Sequence, residues 1–134
     1  MKANPKRPKA RTSKAPWVAS TAVVVSDRLK AKRWYTERLG LFPVDEEGHW
    51  VTVGRKGKGA LLHLCQVDEL DANGKLEPGN TGILLLLEGD FHRRCQELKD
   101  QGVEFTEGPV ERPWGWDATI RDPDGNELLL MPCR

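Results

Sequence analysis

Cysteine is scarce in this chain, and what is missing narrows the classes quickly. Cys65, Cys95 and Cys133 are an odd number without CxxC spacing. That excludes a disulfide framework and a zinc knuckle, and leaves three small apolar side chains in a reducing, cytoplasmic setting. No apolar run approaches the roughly 20 residues that cross a bilayer, so no membrane span is expected. No apolar segment follows the basic start, which argues against a secretory signal. Long acidic or basic blocks are missing too, except at the beginning. Residues 1–15 hold Lys2, Lys6, Arg7, Lys9, Arg11 and Lys14 and no acid, while the whole chain is only +1, so the remainder is net acidic.

That first segment has almost nothing to bury and reads as a disordered basic arm. Contact with nucleic acid or another anionic surface is the sharper alternative. The arm has no aromatic residue for base stacking, which disfavours a nucleic-acid partner. Residues 16–134 form one domain, long enough for a substantial core.

From Trp17 onward the pattern is periodic. Val18 to Val25 is a β-rich run. Ser26-Asp27 offers an N-cap, and Ala31, Trp34, Tyr35 and Leu39 make a helical apolar stripe that stops at Gly40. Strands follow over Leu41–Val44, Trp50–Val53 and Ala60–Gln66, with turns at Glu47-Gly48 and Arg55–Gly59. After a polar linker, Asp68–Asn80, the order recurs. Ile83–Leu87 is an aliphatic strand. Asp90 caps a second helix that buries Phe91, Cys95 and Leu98 and stops at Gly102. Strands begin at Val103, Trp116 and Asn126. The result is two βαβββ units, at about 17–66 and 81–132, with caps and stops repeating at a period near 60 residues. One such unit cannot cover the concave face of its own sheet. Two units placed edge to edge, within a chain or between two copies, form a cup.

Three segments carry a resemblance: Asp27-x3-Ala31-x2-Trp34-Tyr35-x3-Leu39-Gly40; Gly102-Val103-Glu104-Phe105 with Pro113-Trp114-Gly115; and the closing turn Asp122-Pro123-Asp124-Gly125-Asn126. Together they resemble the vicinal-oxygen-chelate superfamily of glyoxalases, bleomycin-resistance proteins and extradiol dioxygenases. The resemblance implies an α+β fold. Two tandem βαβββ modules would form a curved, cup-shaped mixed sheet with helices on its convex side. It also implies metal ligands on the first and fourth strands of each module. Those positions fall on Ser20, His63, Gly82 and Leu129. Two have no donor side chain and one is a neutral hydroxyl. Neither metal nor cofactor is therefore expected.

Other residues suggest a ligand. His63 alternates with Leu62 and Leu64 and, by the resemblance, points into the cup, where it would bind a ligand or serve as acid or base. Trp50, Trp114 and Trp116 offer flat apolar faces, and Arg121 offers a fork for an anion. Ser20, Leu84 and Leu129 complete the expected lining. Arg121 and Asp117 share parity on their strand and would form a surface pair. Gly54–Gly59 lacks the Gly-Lys-Ser/Thr ending of a phosphate loop and reads as a plain loop. The expected protein is a homodimeric binder of an aromatic or flat organic molecule. The alternative is a glyoxalase-like lyase or isomerase, or a dioxygenase-family member, with His63 as the acid–base group of the lyase or isomerase.

Overall fold

The structure, a computed structural model, describes residues 14–67 and 77–133. All of the basic arm except Lys14 and Ala15 lies outside the described residues, as does most of the linker. The elements are β1 (Ser20–Val25), α1 (Arg28–Glu37), β2 (Phe42–Glu47), β3 (Trp50–Gly54), β4 (Leu61–Gln66), β5 (Asn80–Leu87), α2 (Phe91–Asp100), β6 (Glu104–Arg112), β7 (Gly115–Arg121) and β8 (Glu127–Pro132). The two βαβββ modules are present. Their strands form two mixed four-stranded sheets, ordered β1-β4-β3-β2 and β5-β8-β7-β6. In each, the first strand runs parallel to the fourth and the remaining pairs are antiparallel.

Both helices start and stop as their sequences dictate. The Asp27 carboxylate accepts from the Leu29 and Lys30 amides, and Asp90 accepts from Arg93. Backbone partners hold the Asp27 carboxyl below its usual range despite some opposing desolvation; the Lys30 amide contributes most. Helix α2 ends in a Schellman motif. The Val103 amide reaches the Leu98 carbonyl at 3.0 Å, and Gly102 takes the left-handed φ of +89° that this closure needs.

Strand boundaries differ from the sequence reading where edges and bulges intervene. Val18 is β-prone but exposed, and β1 starts only at Ser20, where β4 supplies a partner. Strand β5 begins at Asn80, inside the expected linker, because its register is broken between Asn80 and Leu84 before regular pairing with β8. Strand β6 is longer than expected and is interrupted twice against β7. At Gly108 in β6, a Cβ atom would lie 2.8 Å from the Asp117 carbonyl oxygen, so only glycine allows the two strands this approach.

The core joins the helix-facing sides of both sheets. Val23, Val25, Val51, Val53, Leu62 and Leu64 pack with Ala31 and Tyr35 in the first module; Ala118, Ile120, Leu128 and Leu130 pack with Phe91, Cys95 and Leu98 in the second. Full burial of each larger aliphatic side chain contributes about 1.5–3 kcal/mol. Of the cysteines, Cys95 is buried, Cys65 half-buried and Cys133 exposed, so the expectation of three apolar fillers holds only for Cys95.

One buried polar network fastens the modules together. The Tyr35 hydroxyl donates to Asp122 Oδ2 at 2.7 Å. Asn126 Nδ2 donates both to that oxygen and to the Val24 carbonyl, each at 2.8 Å. The Asp124 and Asn126 amides donate to Asp122 Oδ1, and the Gly79 amide donates to Asn126 Oδ1. Thus the closing turn, legible in sequence as a β-hairpin signal, also binds α1 and β1 of the other module. Burial, with the Asp122 charge beside it, pushes the Tyr35 phenol far above its ordinary value.

Candidate functional site

The faces of the sheets turned away from the helices remain partly open, and most of the expected site residues lie there. In the first sheet, pairing sets Ser20 against Leu61, Ala22 against His63 and Thr52 against His63. Ser20, Trp50, Thr52, His63 and Cys65 therefore share one face, opposite Leu62 and Leu64. The Trp50 ring lies over the His63 imidazole, with centroids 4.0 Å apart and planes tilted by 36°. Trp50 remains 41 % exposed. Burial pushes the His63 pKa below its ordinary value, against an opposing hydrogen bond to the His49 backbone. Its Nε2 atom is buried and has no hydrogen-bond partner. A neutral imidazole nitrogen beside an accessible indole face can both stack a flat molecule and hydrogen-bond its edge.

The corresponding face of the second sheet is built differently. Leu84 pairs with Leu129, which pairs in turn with Thr119. A cavity of about 250 Å³ there is lined by Asn80, Gly82, Thr119, Glu127 and Leu129 among others. Gly82 sits within the break in β5 register at a φ of +71°. Arg121 stands in a cross-strand row with Glu104 and Glu127, at 3.2 and 3.0 Å. Those two carboxylates, Glu127 foremost, raise its pKa. The Arg121–Asp117 pair expected from parity is not formed. Asp117 is buried and is met by Arg112 Nε at 3.3 Å, because β6 brings that guanidinium directly beside it.

The remaining tryptophans are placed apart from the Trp50–His63 pair. Trp116 shares parity with the fully buried Ala118 and Ile120, packs against the core, and meets His92 of the adjoining helix edge-on at 4.4 Å. It faces the helix layer. Trp114 lies in the turn between β6 and β7 and is 59 % exposed. Sequence reasoning missed His49 and Thr52. Thr52 is buried and donates to Asp45 Oδ2 at 2.8 Å, which fixes β2 beside the Trp50 strand. The polar residue inside the otherwise apolar Trp50–Val53 run was its only signal.

The family's metal positions do not fit a divalent ion. Ser20, His63, Gly82 and Leu129 supply one good donor between them. Among the described residues, no group of three or more His, Cys, Asp or Glu side chains is arranged to hold one. Among the same residues, no helix is long and apolar enough to cross a membrane.

Comparison with known proteins agrees with this architecture. The profile described as the Glyoxalase/Bleomycin resistance protein/Dioxygenase superfamily matches residues 17–130. The chain belongs to this superfamily. It is 29 % identical to the Bacillus subtilis (strain 168) protein YetH over 118 residues, covering 84 % of this chain and 95 % of that protein. The crystal structure of a superfamily member from Sphaerobacter thermophilus DSM 20745 is similar with a TM-score of 0.76 and 31 % identity, covering 88 % of this chain and 98 % of that one. TnmS3 from Streptomyces sp. CB03234, described as an antibiotic-binding protein, is similar with a TM-score of 0.73 and 30 % identity, covering 90 % and 98 %.

Proposed function

We propose that this protein binds a flat, aromatic small molecule without a metal, as a homodimer. The observation that carries this reading is the Trp50–His63 pair: an accessible indole face over an imidazole whose buried Nε2 has no partner. A ligand carrying a ring and an edge hydrogen-bonding group would complete both. Ser20 lies on the same face. The similarity to an antibiotic-binding protein supports a small-molecule ligand. Partly exposed Leu84 and Leu86 on the edge strand β5, with the open face of the first sheet, support a second copy as cover. In that arrangement Leu84, Leu129 and Arg121 of one copy would face Trp50 and His63 of the other, with Trp114 at the rim. Trp116, packed against α2, would support this wall from behind.

Titration of intrinsic fluorescence with a panel of flat antibiotics and aromatic metabolites tests the binding. Quenching that disappears in Trp50→Ala and weakens in His63→Ala is expected. A ligand that binds Trp50→Ala as tightly as the parent protein would refute the site. Solution mass and metal content of the same preparation test the rest: a monomer, or stoichiometric bound metal, would contradict it. A second reading is supported by the placement of His63 beside an exposed indole, with burial keeping its imidazole in the neutral, proton-accepting form for a lyase or isomerase. Turnover of a methylglyoxal–thiol adduct, abolished in His63→Ala, would favour that reading over sequestration.

A further inference from the structure

A cavity of about 460 Å³ lies between the modules, away from the Trp50–His63 pair. Its apolar wall comes from both: Leu62 of the first sheet, and Ile83 and Leu85 of β5, with Leu84 and Leu86, the leucines proposed to meet a second copy, also bordering it. Its mouth is the glycine-rich turn joining β3 and β4, which carries Arg55 and Lys58. An adjoining cavity of about 370 Å³ shares Arg55 and Glu88 with it and adds Arg94. Among the described residues, Glu88 is the only acidic one lining either cavity. Arg55 meets its carboxylate at 2.5 Å, tying one module to the other, and Arg94 donates to its backbone carbonyl at 3.0 Å. Arg94 also faces Glu97 on its own helix. The Lys58 ammonium makes no hydrogen bond or ion pair among the described residues, though its charge, after that of Arg55, helps hold the Glu88 carboxyl below its usual range. The mouth therefore holds more positive than negative charge, above an interior lined by aliphatic side chains.

We propose that this cavity is a second small-molecule site, selective for an amphipathic carboxylate. The hydrocarbon part would lie against Leu62, Ile83 and Leu85, removing apolar surface from water. The carboxylate would sit at the mouth, where the Lys58 ammonium and the free edge of the Arg55 guanidinium supply charge-assisted donors. The volume falls within the range of about 300–1,000 Å³ usual for such sites. Charge decides the class: a neutral hydrocarbon would use the walls alone and leave Lys58 without a partner.

Decanoate and decanol distinguish these cases, because they share a chain and differ in charge. Calorimetric titration of the full-length protein should show decanoate binding about tenfold more tightly than decanol. Lys58→Glu should remove that difference. Ala60→Trp, at an exposed position on the cavity edge, should block both ligands without changing the solution mass. Trp50→Ala should leave decanoate binding intact, which separates this site from the aromatic one. Equal affinity for the two ligands, or an unaffected Lys58→Glu variant, would overturn the proposal. So would loss of decanoate binding in Trp50→Ala. A shift in solution mass on Ala60→Trp would also overturn it, by showing that the cavity is part of a seam between copies.

Discussion

The two modules share one topology and have different open faces. In the first, β3 and β4 present an indole stacked on an imidazole. In the second, β8 and β7 present Leu129, Thr119 and an arginine already held by two carboxylates. The helix-facing sides show less contrast: both are mainly aliphatic with aromatic residues packed among them, Trp34 and Tyr35 in the first module and Phe91, Phe105 and Trp116 in the second. Packing constrained the inner faces equally. The outer faces differ, and among the described residues the buried side-chain polar atom without a hydrogen-bond partner on them is His63 Nε2, in the first. The difference teaches that the halves of this repeat are not interchangeable: one presents a stacked indole–imidazole pair, and the other supplies the fastening turn.

The strongest way to break the comparison is to cut that fastening. Asp122→Ala would leave the Tyr35 hydroxyl and Asn126 Nδ2 buried with one acceptor fewer each. A loss of about 3 kcal/mol in urea-induced unfolding is expected, whereas a purely local turn would lose far less. Gly108→Ala follows, with about 1–3 kcal/mol lost as β6 is forced away from the β7 backbone. It should disturb the second module and leave Trp50 fluorescence unchanged.

Alkaline titration sharpens the same contrast. Tyr35 is the only tyrosine, and its folded-state pKa is raised by burial and by Asp122. Its contribution to stability is therefore complete below the unfolded value of about 10 and declines as pH rises beyond it. Tyrosinate absorbance should appear only together with unfolding. Tyr35→Phe should reduce the pH slope of stability in that range.

Smaller effects are expected on the outer faces. His63 has a depressed pKa, so binding that uses its neutral form should hold through neutrality and fall only below about pH 6.5. Ligand titration across pH, repeated with His63→Gln, checks this. Arg121→Met should shift the urea midpoint only slightly, since its ion pairs are solvent-screened, and its effect should shrink further with added salt.

Much of this fold was legible because its signals are local. Asp27 and Asp90 announce their caps, Gly40 and Gly102 their stops, and Ala31, Tyr35, Phe91, Cys95 and Leu98 their buried stripes. His63 was legible from alternation with Leu62 and Leu64. What escaped depended on partners distant in sequence. The break in β5 moved the strand start to Asn80, and nothing in Asn80-Thr81-Gly82 indicates that β8 pairs there. Trp116 shares strand parity with Ala118 and Ile120, and once the packing of α2 against that face is known it is seen to meet His92 rather than the open side. Asp117 appeared to suit Arg121 by parity, yet Arg112 arrives from the neighbouring strand. Asn126 looked like a turn residue alone, because its second role requires the Val24 carbonyl, 102 positions earlier.

That distance has a consequence for how the protein is made. As the chain leaves the ribosome, the opening strand and first helix emerge long before the side chains that satisfy them. Until Asp122 and Asn126 arrive, the Tyr35 hydroxyl and the Val24 carbonyl must rely on water. A product shortened before Asp122 would keep its first module's aliphatic core but not its polar clasp. Limited proteolysis should therefore cut a chain shortened before Asp122 faster than the parent protein, because the Tyr35 hydroxyl and Val24 carbonyl lose their buried partners.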